Sequence, residues 1–396
     1  MVPPAGPPLD PTHVQRARAT ALGKLLLEKN LVVCLGTGGV GKTTTAALLA
    51  LAGAYLGRRT AVLTIDPARR LADALGVGSL DSEAREVPAD RLWPGSRGTL
   101  AALMLDVRYT FDKLVARLVH DEARRMKLLQ HPVYQQMVKG LAGVHEYMAV
   151  EKLHDLAHDG RFDLVILDTP PSKNALDFIE APGRVSQFFN EKISKFFLRG
   201  QEASRWSITD RLFNAAQDAA MGLLGRFIGD EFVKDLVDFM ESFQGLFRAF
   251  EERGDFAAGY LRGDKSGYVI VTAPDPTRVE EGLEFATRLL EFRLRAGAFV
   301  VNRVRATPAG GVPTAEQAEA AMLAANVPAD RREKLAAHVS KHQADRTTLS
   351  ERDAKTVERL RARVRPVEVL VAPETLESPN DPEALAQVCA AMLGFP

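Results

Sequence analysis

The chain has 396 residues, enough for two or three units at roughly 150 residues per domain, or for one large α/β domain. Its 51 Lys and Arg balance 51 Asp and Glu, and a formal charge of zero excludes coating of nucleic acid or anionic membrane by bulk electrostatics. Two cysteines, Cys34 and Cys389, exclude a disulfide framework and a structural zinc site built from cysteine alone.

Residues 1–12 are Pro-rich and read as a disordered lead-in without a basic, apolar leader pattern. The longest apolar run, Ala46 to Leu56, falls short of the roughly 20 residues that span a bilayer. The expectation is a cytoplasmic protein, not itself integral to a membrane. A helix is expected over 13–29, with Val14, Ala17, Leu22, Leu25 and Leu26 on one face. Apolar runs at 31–35, 60–65, about 99–105, 163–167, 267–272, 298–302 and 366–371 read as buried strands, mostly separated by helical patterns. Such alternation predicts an α/β fold with a mainly parallel sheet covered by helices on both faces. Two stretches break the alternation: 181–262, helical throughout, and 313–363, helical, charged and Ala-rich.

Between the first strand and its helix stands Gly36-Thr37-Gly38-Gly39-Val40-Gly41-Lys42-Thr43-Thr44, which satisfies G-x-x-x-x-G-K-[ST]. Glycines let backbone N–H groups cradle phosphate oxygens, Lys42 reaches the β- and γ-phosphates, and the Thr43 hydroxyl suits Mg²⁺. After the second strand comes Asp66-Pro67-Ala68-Arg69-Arg70, at the carboxyl end where ligands bind in such sheets. Asp66 is a candidate to orient or deprotonate the attacking water and, with Thr43 and Asp168, to hold Mg²⁺ partly through water; Asp followed by Pro also suits a helix N-cap. The run at 163–167 ends in Asp168-Thr169-Pro170-Pro171-Ser172-Lys173-Asn174; Asp168 is the candidate to hold Mg²⁺ through its water. His154 and His158 stand i, i+4 without the HExxH pattern and read as a solvated helix face. Arg361, Arg363 and Arg365 have acids nearby and read the same way, so no nucleic-acid partner is expected.

Together GTGGVGKTT, TIDPARR and DTPPSKN resemble the ArsA/GET family of ATPases, within the P-loop class that includes MinD and signal-recognition GTPases. Val300-Val301-Asn302-Arg303 resembles the family strand whose Asn reads the adenine, and the run ending in Pro373-Glu374 resembles the loop that closes over the base. The resemblance implies a homodimeric Mg²⁺-ATP-driven switch, with one P-loop per chain. It implies switch segments at Asp66, Pro67 and Arg69 and at Asp168, Thr169, Pro170 and Lys173. The domain plan that follows is a nucleotide-binding core over 13–180 and 263–396, carrying the 181–262 lobe and the 313–363 insertion.

The departures are specific. The family's first P-loop lysine, which reaches the partner's nucleotide, is Thr37 here; Lys173 or Arg69 is the expected compensating cation. Residues 303–371 hold no Cys, so the paired-cysteine zinc motif of some dimers is missing. Clustered thiolates for a metalloid are not expected either, with Cys34 in a buried strand and Cys389 near the far end.

Residues 181–262 hold twelve of nineteen phenylalanines, with apolar stripes along 212–228 and 232–250. Such stripes pack as core or stay partly exposed as a groove for an apolar helix. Two readings of function stand: an ATP-dependent targeting factor for a hydrophobic or membrane-associated client, and a positioning or scaffolding ATPase acting on a dedicated soluble or peripheral partner. A weakly hydrolysing ATP-binding homologue is the third.

Overall fold

The computed structural model describes residues 11–66, 68–132, 134–135, 138, 144–170, 249, 252–308, 311–374 and 382–394. Its centre is an eight-stranded sheet in the order β3-β4-β2-β5-β1-β6-β7-β8. The strands are β1 (Leu31–Leu35), β2 (Arg59–Thr64), β3 (Arg85–Val87), β4 (Thr99–Met104), β5 (Leu164–Asp168), β6 (Ser266–Thr272), β7 (Ala298–Val304) and β8 (Glu368–Pro373). All neighbours pair in parallel except β3 with β4. Seven of these were expected. The eighth, Arg85-Glu86-Val87, is a short antiparallel edge with two exposed charged residues, so no apolar run announces it.

The helices in chain order are α1 (Pro11–Ala19), α2 (Ala21–Glu28), α3 (Lys42–Tyr55), α4 (Arg70–Ala74), α5 (Ala89–Leu92), α6 (Val107–Leu118), α7 (Glu122–Gln130) and α8 (Val144–His158). After β6 come α9 (Pro276–Glu291), α10 (Ala315–Ala324), α11 (Ala329–Val364) and α12 (Pro382–Leu393). The single helix expected over 13–29 is broken at Thr20, whose extended backbone and hydroxyl cap α2 by accepting from Gly23 N at 3.0 Å. Gly23 is required there: a Cβ would stand 2.0 Å from Ala17 O, so only glycine allows α1 and α2 to fold together.

Side chains alternate across the sheet and feed two cores. On one face Leu31, Val33 and Leu35 of β1 join Phe111, Tyr147, Phe285 and Phe299. On the other, Val32 and Cys34 join the Ala/Leu-rich α3 and the inner face of α12. Burial on both faces is why the strands read as apolar throughout.

The 313–363 stretch forms α10 and most of α11. Thr314 and Gln317 make a reciprocal capping box for α10. α11 has 36 residues, about 54 Å at 1.5 Å per residue. Val357, Leu360 and Val364 anchor its end on the core, whereas much of its first half is exposed. Arg361 pairs with Glu358 at 2.6 Å and Arg363 pairs with Glu280, so two of the three flagged arginines are engaged with acids.

Of the Phe-rich stretch, only residues 249 and 252–262 are described; the stripes along 212–228 and 232–250 lie outside the described residues, apart from residue 249. Among the described residues no helix is long and apolar enough to cross a membrane.

Candidate functional site

The carboxyl ends of β2, β5, β1, β6 and β7 lie side by side, and the expected phosphate-binding segments leave from them. Residues 36–41 run from β1 into α3. Gly39 (φ 81°) and Gly41 (φ 89°) occupy the left-handed region, which glycine adopts without a Cβ penalty. A Cβ on Gly41 would lie 1.9 Å from Asn302 Nδ2, so the loop and β7 touch through a bare backbone. Gly41 caps α3 without a side-chain bond and the first turn holds no acid. The free N–H groups and positive end of that helix therefore suit an anion. Gly36, Thr37 and Val40 are buried; Gly38, Thr43 and Thr44 are half-buried.

Lys42 is 5% exposed, and among the described residues its ammonium makes no hydrogen bond. Burial pulls its pKa down, while the negative charges of Asp168 and Asp66 push back. Asp168 is fully buried on β5, opposite Cys34 of β1 and Thr64 of β2. The Thr64 hydroxyl donates to Asp168 Oδ2 at 2.9 Å. Asp168 Oδ1 is buried without a hydrogen bond of ordinary geometry. Burial raises the Asp168 pKa, opposed by Lys42 and by the hydroxyls of Thr43 and Thr64. A buried lysine and a buried carboxylate oxygen without a partner, beside a helix N-terminus, are costly unless a ligand completes them.

Asp66 follows β2 and is 13% exposed at its side chain. It does not cap a helix, because α4 starts four residues later at Arg70. Its Oδ1 instead accepts from Ala68 N at 3.0 Å, and its Oδ2 pairs with Arg70 at 3.3 Å. This local turn aligns the segment after β2. Arg69 is exposed. The Thr169 hydroxyl donates to Cys34 O at 2.7 Å, tying the segment after β5 to β1 beside Pro170. Pro67 and Lys173 lie outside the described residues.

Two arginines meet the loop: Arg278 had no motif to announce it, and Arg303 stood in the run read for Asn302 without a role of its own. Arg278, in the first turn of α9, donates to the Thr37 hydroxyl at 3.3 Å and pairs with Glu281 at 2.9 Å. It meets the position where the resemblance expects a lysine. Arg303 takes a left-handed φ of 62° and donates to Gly39 O at 3.3 Å. A clue was legible at Arg278 only after the fact: Asp275-Pro276 starts a helix whose first turn faces the same crevice, with Asp275 capping Thr277 N and Arg278 N.

Asn302, Pro373 and Glu374 come together near the loop. Asn302 Nδ2 donates to Val40 O at 3.0 Å, and its Oδ1 accepts from Arg303 N at 3.0 Å, so it braces the phosphate loop. Glu374 N donates to Val304 O at 2.9 Å, which seats the end of β8 against β7. Arg305 stands 4.0 Å from Glu374 and pairs with the buried Asp353 of α11 at 3.1 Å. Cys34 and Cys389 are both fully buried, and burial pushes both thiols well above the ordinary range.

The family model of the anion-transporting ATPases matches residues 29–310 of the chain. "ATPase ASNA1 homolog 1" of Paramecium tetraurelia is 23% identical over 275 residues, 68% of this chain and 73% of that protein. "Putative arsenical pump-driving ATPase 1" of Aquifex aeolicus is 24% identical over 284 residues, 69% and 63% of the two chains. "ATPase GET3" of Malassezia globosa is 29% identical over 173 residues, 43% and 48% of the two chains.

Proposed function

Because the chain belongs to the anion-transporting ATPase family and is an ATPase, we propose that it works as a homodimeric, nucleotide-driven switch that couples ATP turnover to binding or targeting of a hydrophobic or membrane-associated protein in the cytoplasm. The observation that carries the nucleotide half is that Lys42 and Asp168 are both buried beside the N-terminus of α3, with Asp168 Oδ1 left without a hydrogen-bond partner among the described residues. Residues 36–44 hold the phosphates, with Lys42 on the β- and γ-oxygens. The donor set at Thr43 and Asp168 fits Mg²⁺: a hydroxyl beside a buried carboxylate whose Oδ1 has no hydrogen-bond partner among the described residues. When bound, the ion neutralises charge on the phosphate oxygens. Asp66 orients and accepts a proton from the attacking water. Release of its turn and of the segment after Asp168 is the switch.

In this reading Arg278 supplies the positive charge that Thr37 cannot. Arg278→Ala is expected to lower kcat by about tenfold or more with KM for ATP little changed, as for loss of a charge used only in the transition state. Adding Thr37→Lys to Arg278→Ala is expected to return part of the turnover. Steady-state hydrolysis of the wild type and these variants checks it; a pure rise in KM would assign Arg278 to ground-state binding instead.

The client half follows from the apolar composition of 181–262, which suits a helix-in-groove partner. Asp66→Asn protein, loaded with ATP to hold the closed state, is the bait for a pull-down from cytosol and membranes. Recovery of proteins carrying single apolar helices supports targeting. Recovery of one soluble or peripheral protein instead would replace it with the positioning reading.

A further inference from the structure

We propose that the chain carries a second anion site, away from the phosphate loop: a cavity of about 470 Å³ beside α8 that takes a small phosphate-bearing ligand on Lys152. The cavity is bounded by α6, α8 and the residues just after it, β4, the residues before β3 and Arg253. Lys152 lines it, yet the residue is only 8% exposed. Among the described residues its ammonium has no hydrogen bond and no ion pair.

The neighbouring charges explain why an anion, not a metal ion, belongs there. Glu151, His154 and Asp155 lie close enough together to suggest a cation site. Both carboxylates are already gripped by guanidinium groups: Arg253 binds Glu151 and reaches Asp155 at 3.1 Å, and Arg117 binds Asp155. At the rim Lys113 pairs with Glu83, and Arg161 with Asp159 at 2.5 Å. Each other cation of the lining thus has a carboxylate, and Lys152 is the surplus charge. Burying it unpaired costs free energy that an oxyanion would offset.

Further donors belong to the same lining. Lys152 has three N–H groups, and Arg253 and Arg117 keep N–H groups beyond those bound to Glu151 and Asp155. His158 Nδ1 lies 2.9 Å from His154 O, and the two rings stack with centroids 4.1 Å apart, with Phe256 against both. His158 is exposed, in keeping with a solvated helix face, whereas His154 is half-buried, and both rings line the cavity. Lysine as a point charge together with arginine N–H groups is a combination that binds phosphate.

The test uses the full chain with Lys42→Ala, which weakens phosphate binding at the other site. Inorganic phosphate and glycerol 3-phosphate are titrated while the imidazole C2–H signals of His154 and His158 are followed by NMR. Saturable movement of both signals at or below roughly 10 mM is expected, with loss of about tenfold or more in affinity on adding Lys152→Met. Lys152→Arg keeps the charge and should keep binding, which separates charge loss from misfolding. Stronger binding of glycerol 3-phosphate assigns an organic monoester; equal binding assigns phosphate itself. No saturation with either probe, or equal binding by the Lys152→Met protein, overturns the proposal.

Discussion

Asp66→Asn is expected to lower ATP turnover by about 10³-fold while ATP affinity stays within a few-fold, the signature of a group used in the transition state. Asparagine keeps the Oδ1 acceptor that takes the Ala68 N–H, so the turn after β2 survives. What it loses is the negative charge and the ability to take a proton from water. The lost pair with Arg70 matters little to the fold, because the Arg70 side chain is 61% exposed. Single-turnover hydrolysis and a fluorescent-nucleotide titration separate the two effects. Turnover above a tenth of wild type would move the role of base away from Asp66. Equal loss of binding and turnover would make the residue a structural support of the loop.

The parts of the site built from one stretch of chain were legible in the sequence. The loop from Gly36 to Thr44 carries its own signature, and Asp66 and Asp168 each end an apolar run at the carboxyl edge of a strand. The strands themselves were legible because burial on both faces makes them apolar without interruption. What failed were features made between distant segments. The break at Thr20 depends on Gly23 meeting Ala17, a contact that no periodicity in α1 or α2 announces. Arg278 is 241 positions from Thr37 and reaches it only because β6 lies next to β1. His154 and His158 share one helical face, which the i, i+4 spacing does show; that Arg253 and Phe256 close over that face does not follow from spacing. For Asp66 the local pattern admitted an N-cap, and the chain uses the same carboxylate for a tighter turn two residues long.

Gly41→Ala should weaken ATP binding by about two orders of magnitude, and the reason can be divided in two. One part is backbone strain: at φ 89° an alanine costs on the order of 1–2 kcal/mol that glycine does not. The other is contact: the new Cβ would lie 1.9 Å from Asn302 Nδ2. Asn302 can retreat only by giving up its bond to Val40 O, and that bond holds the loop against β7. The N–H groups that should face the phosphates are then no longer aligned. A double-mutant cycle separates the parts. Asn302→Ala removes the clash but not the strain, so Gly41→Ala with Asn302→Ala should bind ATP more tightly than Gly41→Ala alone, and still less tightly than Asn302→Ala alone. Isothermal titration of the four proteins, with melting temperatures alongside, gives the coupling. Strict additivity would mean that Asn302 does not press on the loop and that the left-handed backbone at Gly41 accounts for the whole loss.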